Sequence, residues 1–224
     1  MTAPDDAPLL RHAPATVHGR YLVRPASTGL WLVGFHGQGQ AAAAFHPALA
    51  ASAPANWLVA SVQGLNRYYA GRTQNVVANW MTREDREFAI ADNVAWVDGV
   101  LDRLAGEFGP PRVLVLAGFS QGVAMAYRAA RLGRHACAAV VVVGGDVPPE
   151  LAREGGAPWP RVLAMTGAAD SWYGPDRLEA DGAFLRAARP DARIEVFEGG
   201  HEWGEPVATR VRELLAELAG APGA

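Results

Sequence analysis

Apolar residues in this chain come in short, nearly uninterrupted runs separated by longer stretches of helical spacing. Leu30–Phe35, Trp57–Ser61, Arg112–Ala117, Ala138–Val143, Arg161–Thr166 and Arg193–Phe197 each hold five or six mostly apolar residues, the length and pattern of strands covered on both faces. Val17–Arg24 has the mixed pattern of an edge strand. Between these runs, Ala41–Ala53, Glu87–Glu107, the segment from Val123 onward, Pro175–Ala188 and Val207–Leu218 predict helices. In the second of them, Ile90, Val94, Val97, Val100, Leu101 and Leu104 recur every three or four residues before Gly109-Pro110-Pro111 stops the helix. Strand and helix alternate throughout, which predicts an α/β fold: a mostly parallel central sheet with helices on both faces, its active site beyond the carboxyl ends of the strands. Residues 1–14 read as a flexible tail and 15–224 as a single domain. Residues 63–86, which show no clean period, read as a lid-like insertion over the strand rim.

Composition narrows the class. At 224 residues and half hydrophobic, the chain is long enough for one substantial core. Its formal charge of -3, spread along the sequence, argues against a nucleic-acid partner. No run of 18 apolar residues predicts a membrane span. The acid- and proline-containing start lacks the cations and apolar stretch of a signal peptide, so a cytoplasmic location is expected. The single cysteine, Cys137, lies in an apolar stretch and reads as a buried thiol rather than a nucleophile or ligand.

The chemistry centres on Gly118-Phe119-Ser120-Gln121-Gly122, between the run ending at Ala117 and the helix beginning at Val123. A serine at the apex of a sharp strand-to-helix turn needs neighbours nearly free of side chain two positions away on either side. With five serines and 25 glycines, about 0.06 matches to the bare pattern are expected by chance. A serine hydroxyl needs a base, and the base an orienting carboxylate. Of the two histidines downstream, His135 falls in a connection at the wrong end of the sheet, whereas His201 follows strand Arg193–Phe197 through a glycine loop at the right one. Asp170, just after strand Arg161–Thr166, completes the order serine, acid, histidine; Asp146 is its rival on the same rim, and Asp176 a weaker one. The backbone N–H groups of Gln121, opening a helix, and of Gln38, in His36-Gly37-Gln38-Gly39, are candidate oxyanion donors. Tyr68, Trp80, Trp172, Tyr173 and Trp203 are candidate substrate-binding residues, Met81 a further lining residue, and Arg67, Arg72 or Arg83 candidates to pair with a substrate carboxylate or phosphate. Trp31 and Trp57, inside apolar runs, are expected in the core.

From about Leu30 to Leu218 the chain resembles the α/β-hydrolases, and among them the phospholipase/carboxylesterase family of small cytoplasmic serine esterases. Gly118–Gly122 resembles that family's nucleophile turn, His36–Gly39 its oxyanion loop, Gly167-Ala168-Ala169-Asp170 its acid site and Gly200-His201 its base site. The resemblance implies hydrolysis of carboxylic esters or thioesters through an acyl-enzyme, with no metal and no organic cofactor. A small-molecule ester is the expected partner, and a monomer or homodimer the expected state. Ser171-Trp172-Tyr173-Gly174-Pro175 is bulkier than the family's usual sequence after the acid, and the region around Asp92–Val97 resembles polyester depolymerase and feruloyl esterase relatives. Dienelactone hydrolases share the fold and size, but resemblance to them would imply cysteine at position 120. An acyltransferase using the same intermediate and a non-catalytic binding protein on the hydrolase fold are the two competing readings.

Overall fold

The computed structural model describes residues 8–152 and 158–221. Seven strands form one sheet in the order β1-β3-β2-β6-β7-β8-β9. In chain order these are β1 (Tyr21–Arg24), β2 (Leu30–Phe35), β3 (Leu58–Val62), β6 (Val113–Phe119), β7 (Ala139–Val143), β8 (Arg161–Gly167) and β9 (Arg193–Phe197). Only β1 runs antiparallel, against β3; every other pairing is parallel. A small antiparallel hairpin, β4 (Asn66–Tyr69) and β5 (Val76–Asn79), stands apart from this sheet. The expected α/β class with a mostly parallel sheet is the observed one.

Apolar residues on both faces of each central strand dictate a layer of helices on either side. On one face, Trp31, Val33, Phe35, Leu114 and Leu116 meet Val97, Val100, Leu101 and Leu104 of α2 (Arg86–Phe108) and Val123 and Ala126 of α3 (Gln121–Leu132). Leu178 and Leu185 of α4 (Pro175–Ala188) extend the same cluster. On the other face, Leu32, Val59, Val115 and Val141 meet Phe45 and Leu49 of α1 (Ala42–Ala51) and Val207, Val211, Leu214 and Leu215 of α5 (Glu205–Gly220). Trp31 and Trp57 are buried in these clusters, as expected. Among the described residues, no helix is long and apolar enough to cross a membrane.

Because six strands run parallel, their carboxyl ends share one rim. From that rim rise His36–Gln40 after β2, Ser120 after β6, Gly144–Asp146 after β7, Asp170 after β8 and His201 after β9. The expected insertion at 63–86 begins at the same rim, after β3, and contains the β4–β5 hairpin. Within the expected tail, residues 1–7 lie outside the described residues, and Pro8–Pro14 contain neither helix nor strand. His12 nonetheless holds Asp85 at 2.9 Å.

Candidate active site

Ser120 has φ 52° and ψ −119°, one of two non-glycine residues with positive φ among those described. A β-carbon on Gly118 would overlap the carbonyl of Gly122, and one on Gly122 would overlap that of Phe35. The two glycines are therefore steric requirements of the turn, which holds an L-residue in a conformation it ordinarily avoids. Val123 N–H closes the turn by donating to Ser120 O at 3.0 Å, and Ser120 N–H donates to Val143 O at 2.9 Å. Gln121 is the first residue of α3, where an N–H has no acceptor one turn back.

Asp170 is 7% exposed, and its carboxylate is held from several sides. Oδ1 accepts the backbone N–H groups of Trp172 at 2.8 Å and Tyr173 at 2.9 Å. Oδ2 accepts Nδ1–H of His201 at 2.7 Å, and the Thr166 hydroxyl, which donates to Tyr173 O at 2.5 Å, lies 3.3 Å from it. Burial alone would raise the carboxyl's pKa; the bonds from Tyr173, His201 and Trp172 outweigh it and hold the group below its ordinary value. With Nδ1 engaged, Nε2 is the His201 nitrogen left for proton transfer. The imidazole packs on Phe119, ring centroids 4.9 Å apart, and faces Gly144, where a β-carbon would come within 2.9 Å of its Cε1. Asp146, the rival carboxylate, is instead exposed and paired with Arg177. His135 pairs with Asp102 at 2.9 Å.

The turn expected to supply the second amide is fastened to the hairpin. Gly39 N–H donates to Ala78 O at 3.0 Å, Ala78 N–H donates to Gln40 O at 2.8 Å, and Gly37 N–H donates to Oε1 of Gln40 at 2.9 Å. His36, fully buried, accepts Gly64 N–H at Nε2 at 3.0 Å and donates from Nδ1 to Gly37 O at 2.7 Å, so it is the neutral Nδ1–H tautomer. Burial lowers its pKa.

A cavity of about 600 Å³ gathers Ser120, His201, Gln38, Gln121, Trp172 and Tyr173 in its lining, together with Met81 and Arg83. Trp172 is 74% exposed at its mouth, and the Tyr173 hydroxyl donates to Asp181 at 2.7 Å. Among the described residues the Ser120 hydroxyl holds no hydrogen bond.

Three expected substrate-binding residues lie outside the cavity lining. Trp80 is 1% exposed and belongs to the core: its Nε1 donates to His36 O at 2.8 Å and its ring lies against Phe35 and His36. Trp203 is outside this cavity, packed edge-on against Phe45 and donating to Ser52 Oγ at 2.9 Å, which serves the α1 side of the sheet. Tyr68 sits on the exposed strand β4 and is also absent from the lining. Arg67 reaches the His18 carbonyl instead of the cavity. Cys137 is half-buried, with burial pushing its thiol up to about 12, in keeping with an inert thiol.

Two features of the lining carried no mark in the sequence: the Gln121 side chain and the pair Arg86 and Arg128. The Gln121 side chain accepts Trp80 N–H at 2.8 Å and donates to Met81 O at 2.9 Å, clamping the end of the insertion to α3. Arg86 and Arg128 also line the cavity, joined through Glu150. An arginine directly after the Val123–Tyr127 stretch of α3 was the one available signal for the latter.

No protein-family model matches the chain, and no curated protein matches its sequence. Solved structures do. Esterase PE8 is 20% identical with a TM-score of 0.71, covering 90% of this chain and 99% of its own. The Bacillus cereus carboxylesterase is 18% identical with a TM-score of 0.69, over 89% of this chain and 94% of its own. Zea mays acyl-protein thioesterase 2 is 17% identical with a TM-score of 0.70, over 91% and 100%. With its parallel sheet, its serine at a strand-to-helix turn and these neighbours spanning nearly the whole chain, the protein has the α/β-hydrolase fold.

Proposed function

We propose that the protein is a serine hydrolase that cleaves carboxylic esters, and thioesters by the same chemistry, through an acyl-enzyme. Ser120 attacks the carbonyl as Nε2 of His201 takes its proton. Asp170 holds the imidazole in the tautomer that leaves Nε2 basic and stabilises the cation that forms. The N–H groups of Gln38 and Gln121 receive the developing oxyanion. His201 returns the proton to the leaving group, then deprotonates the water that releases the acid.

The observation that carries this reading is the 2.7 Å contact to a buried Asp170 from Nδ1 of His201, which lines the same cavity as Ser120. A structural ion pair would not require a neighbouring serine held at positive φ. The fold neighbours titled carboxylesterase and acyl-protein thioesterase support the same reaction class. The test is release of p-nitrophenol from short acyl esters. Ser120→Ala is expected to lower kcat by about 10³-fold or more while leaving the melting temperature nearly unchanged. Turnover that survives in this variant would remove Ser120 from the mechanism.

A further inference from the structure

The cavity lining is cationic. Arg83, Arg86, Arg128 and Arg177 all line it, and their ion-pair partners are two carboxylates. Arg177 is paired with Asp146, donates to Trp172 O at 2.9 Å and lies over the Tyr173 ring. Deeper in, Arg128 is 1% exposed and shares the single carboxylate of Glu150 with Arg86: Arg128 Nε binds Oε1 at 2.7 Å and Arg86 Nη2 binds Oε2 at 2.8 Å. One carboxylate thus faces two guanidiniums, one of them almost wholly removed from water.

The second amino group of each guanidinium shows where the surplus points. Nη1 of Arg86 and Nη1 of Arg128 both lie 3.4 Å from Sδ of Met81, itself a lining residue. A thioether is a weak acceptor, a poor match for two charge-assisted donors. Its flexible side chain is well suited to yield the place to an anion. Arg83 stands exposed on the same segment, with no ion pair among the described residues.

Resting on the esterase reading above, we infer that the cavity selects esters that carry a second, anionic group, a carboxylate held by the Nη1 donors of Arg86 and Arg128 and drawn in by Arg83. An arginine fork matches a carboxylate and gains nothing from an alkyl chain. The cavity therefore favours half-esters of short dicarboxylic acids, or esters whose alcohol carries a carboxylate, over fatty acyl esters of equal length.

Two matched pairs test this and locate the charge. In the first, p-nitrophenyl hemiglutarate is compared with its neutral methyl ester, placing the carboxylate on the acyl side. In the second, 4-acetoxybenzoate is compared with its methyl ester, placing it on the leaving group. Within at least one pair the anionic ester is expected to show kcat/KM about tenfold higher, after subtraction of the uncatalysed rate. Arg83→Gln and Arg86→Gln should each lower that ratio, the double variant bringing it near unity, and Arg83→Lys should restore part of it. Arg83 is exposed, so its variants read charge without disturbing the core. Neutral esters turned over as well as, or better than, both anionic partners would overturn the inference and leave the esterase reading standing. A preference that persists undiminished in the double variant would overturn it too. Inertness of all four esters would instead defeat the esterase reading, and this inference with it.

Discussion

Asp170 and Asp146 both follow strands on one rim, yet only one of them is built to serve a histidine. Asp170 is buried, accepts two backbone N–H groups on one oxygen and meets His201 with the other, whereas Asp146 is exposed and tied to Arg177. Asp170→Asn is therefore expected to lower kcat for an ester by about 10⁴-fold, since an amide can no longer stabilise the imidazolium. Asp146→Asn breaks an exposed ion pair and should change it by less than about fivefold. Steady-state kinetics on the two variants decide it, and the reverse ranking would transfer the acid's role. His36 offers a residue-level test of the turn after β2. Burial lowers its pKa, against a smaller opposing effect of its bond to Gly37, so the unfolded chain takes up the proton at higher pH than the folded one does. This stabilisation is complete above the unfolded value near 6.5 and is lost as pH falls from there toward the folded value. Urea unfolding from about pH 7.5 to about 5.5 should show that loss, and His36→Gln should flatten it. His46, whose pKa burial also lowers, adds a residual slope of the same sign.

At the scale of elements, the turn at Ser120 is the most legible part of the chain. Its glycines are demanded by backbone overlap, a purely local constraint that sequence spacing reports directly. Gly122→Ala drives a methyl group into the Phe35 carbonyl and is expected to cost about 3 kcal/mol of stability, read from urea midpoints, besides displacing Ser120. The central strands were equally legible, because burial on both faces leaves an uninterrupted apolar signature. The β4–β5 hairpin was not: β4 is exposed along its whole length, so Asn66-Arg67-Tyr68-Tyr69 shows no alternation to betray a strand. The same blindness affected aromatics near the rim. Trp80 and Trp203 sit on loops that converge on the site, but which way a loop side chain turns depends on partners distant in sequence, His36 O for one and Ser52 for the other.

For the molecule as a whole, parallel strands put six chain segments at one rim, and that topology makes distant motifs neighbours. The order of Ser120, Asp170 and His201 was readable because each follows its own strand. The charge of the cavity was readable only at Arg83; Arg86, Arg128 and Glu150 come from α2, α3 and the loop after β7, and their pairing exists only in the assembled fold. Net charge of -3 conceals a locally cationic pocket. The most direct measurement treats the protein with a fluorophosphonate and maps the adduct by peptide mass spectrometry. Stoichiometric phosphonylation of Ser120, abolished in Ser120→Ala and strongly slowed in His201→Ala, is the expected result. Labelling at another residue, or labelling of Ser120 at the same rate without His201, would contradict a serine activated by that histidine.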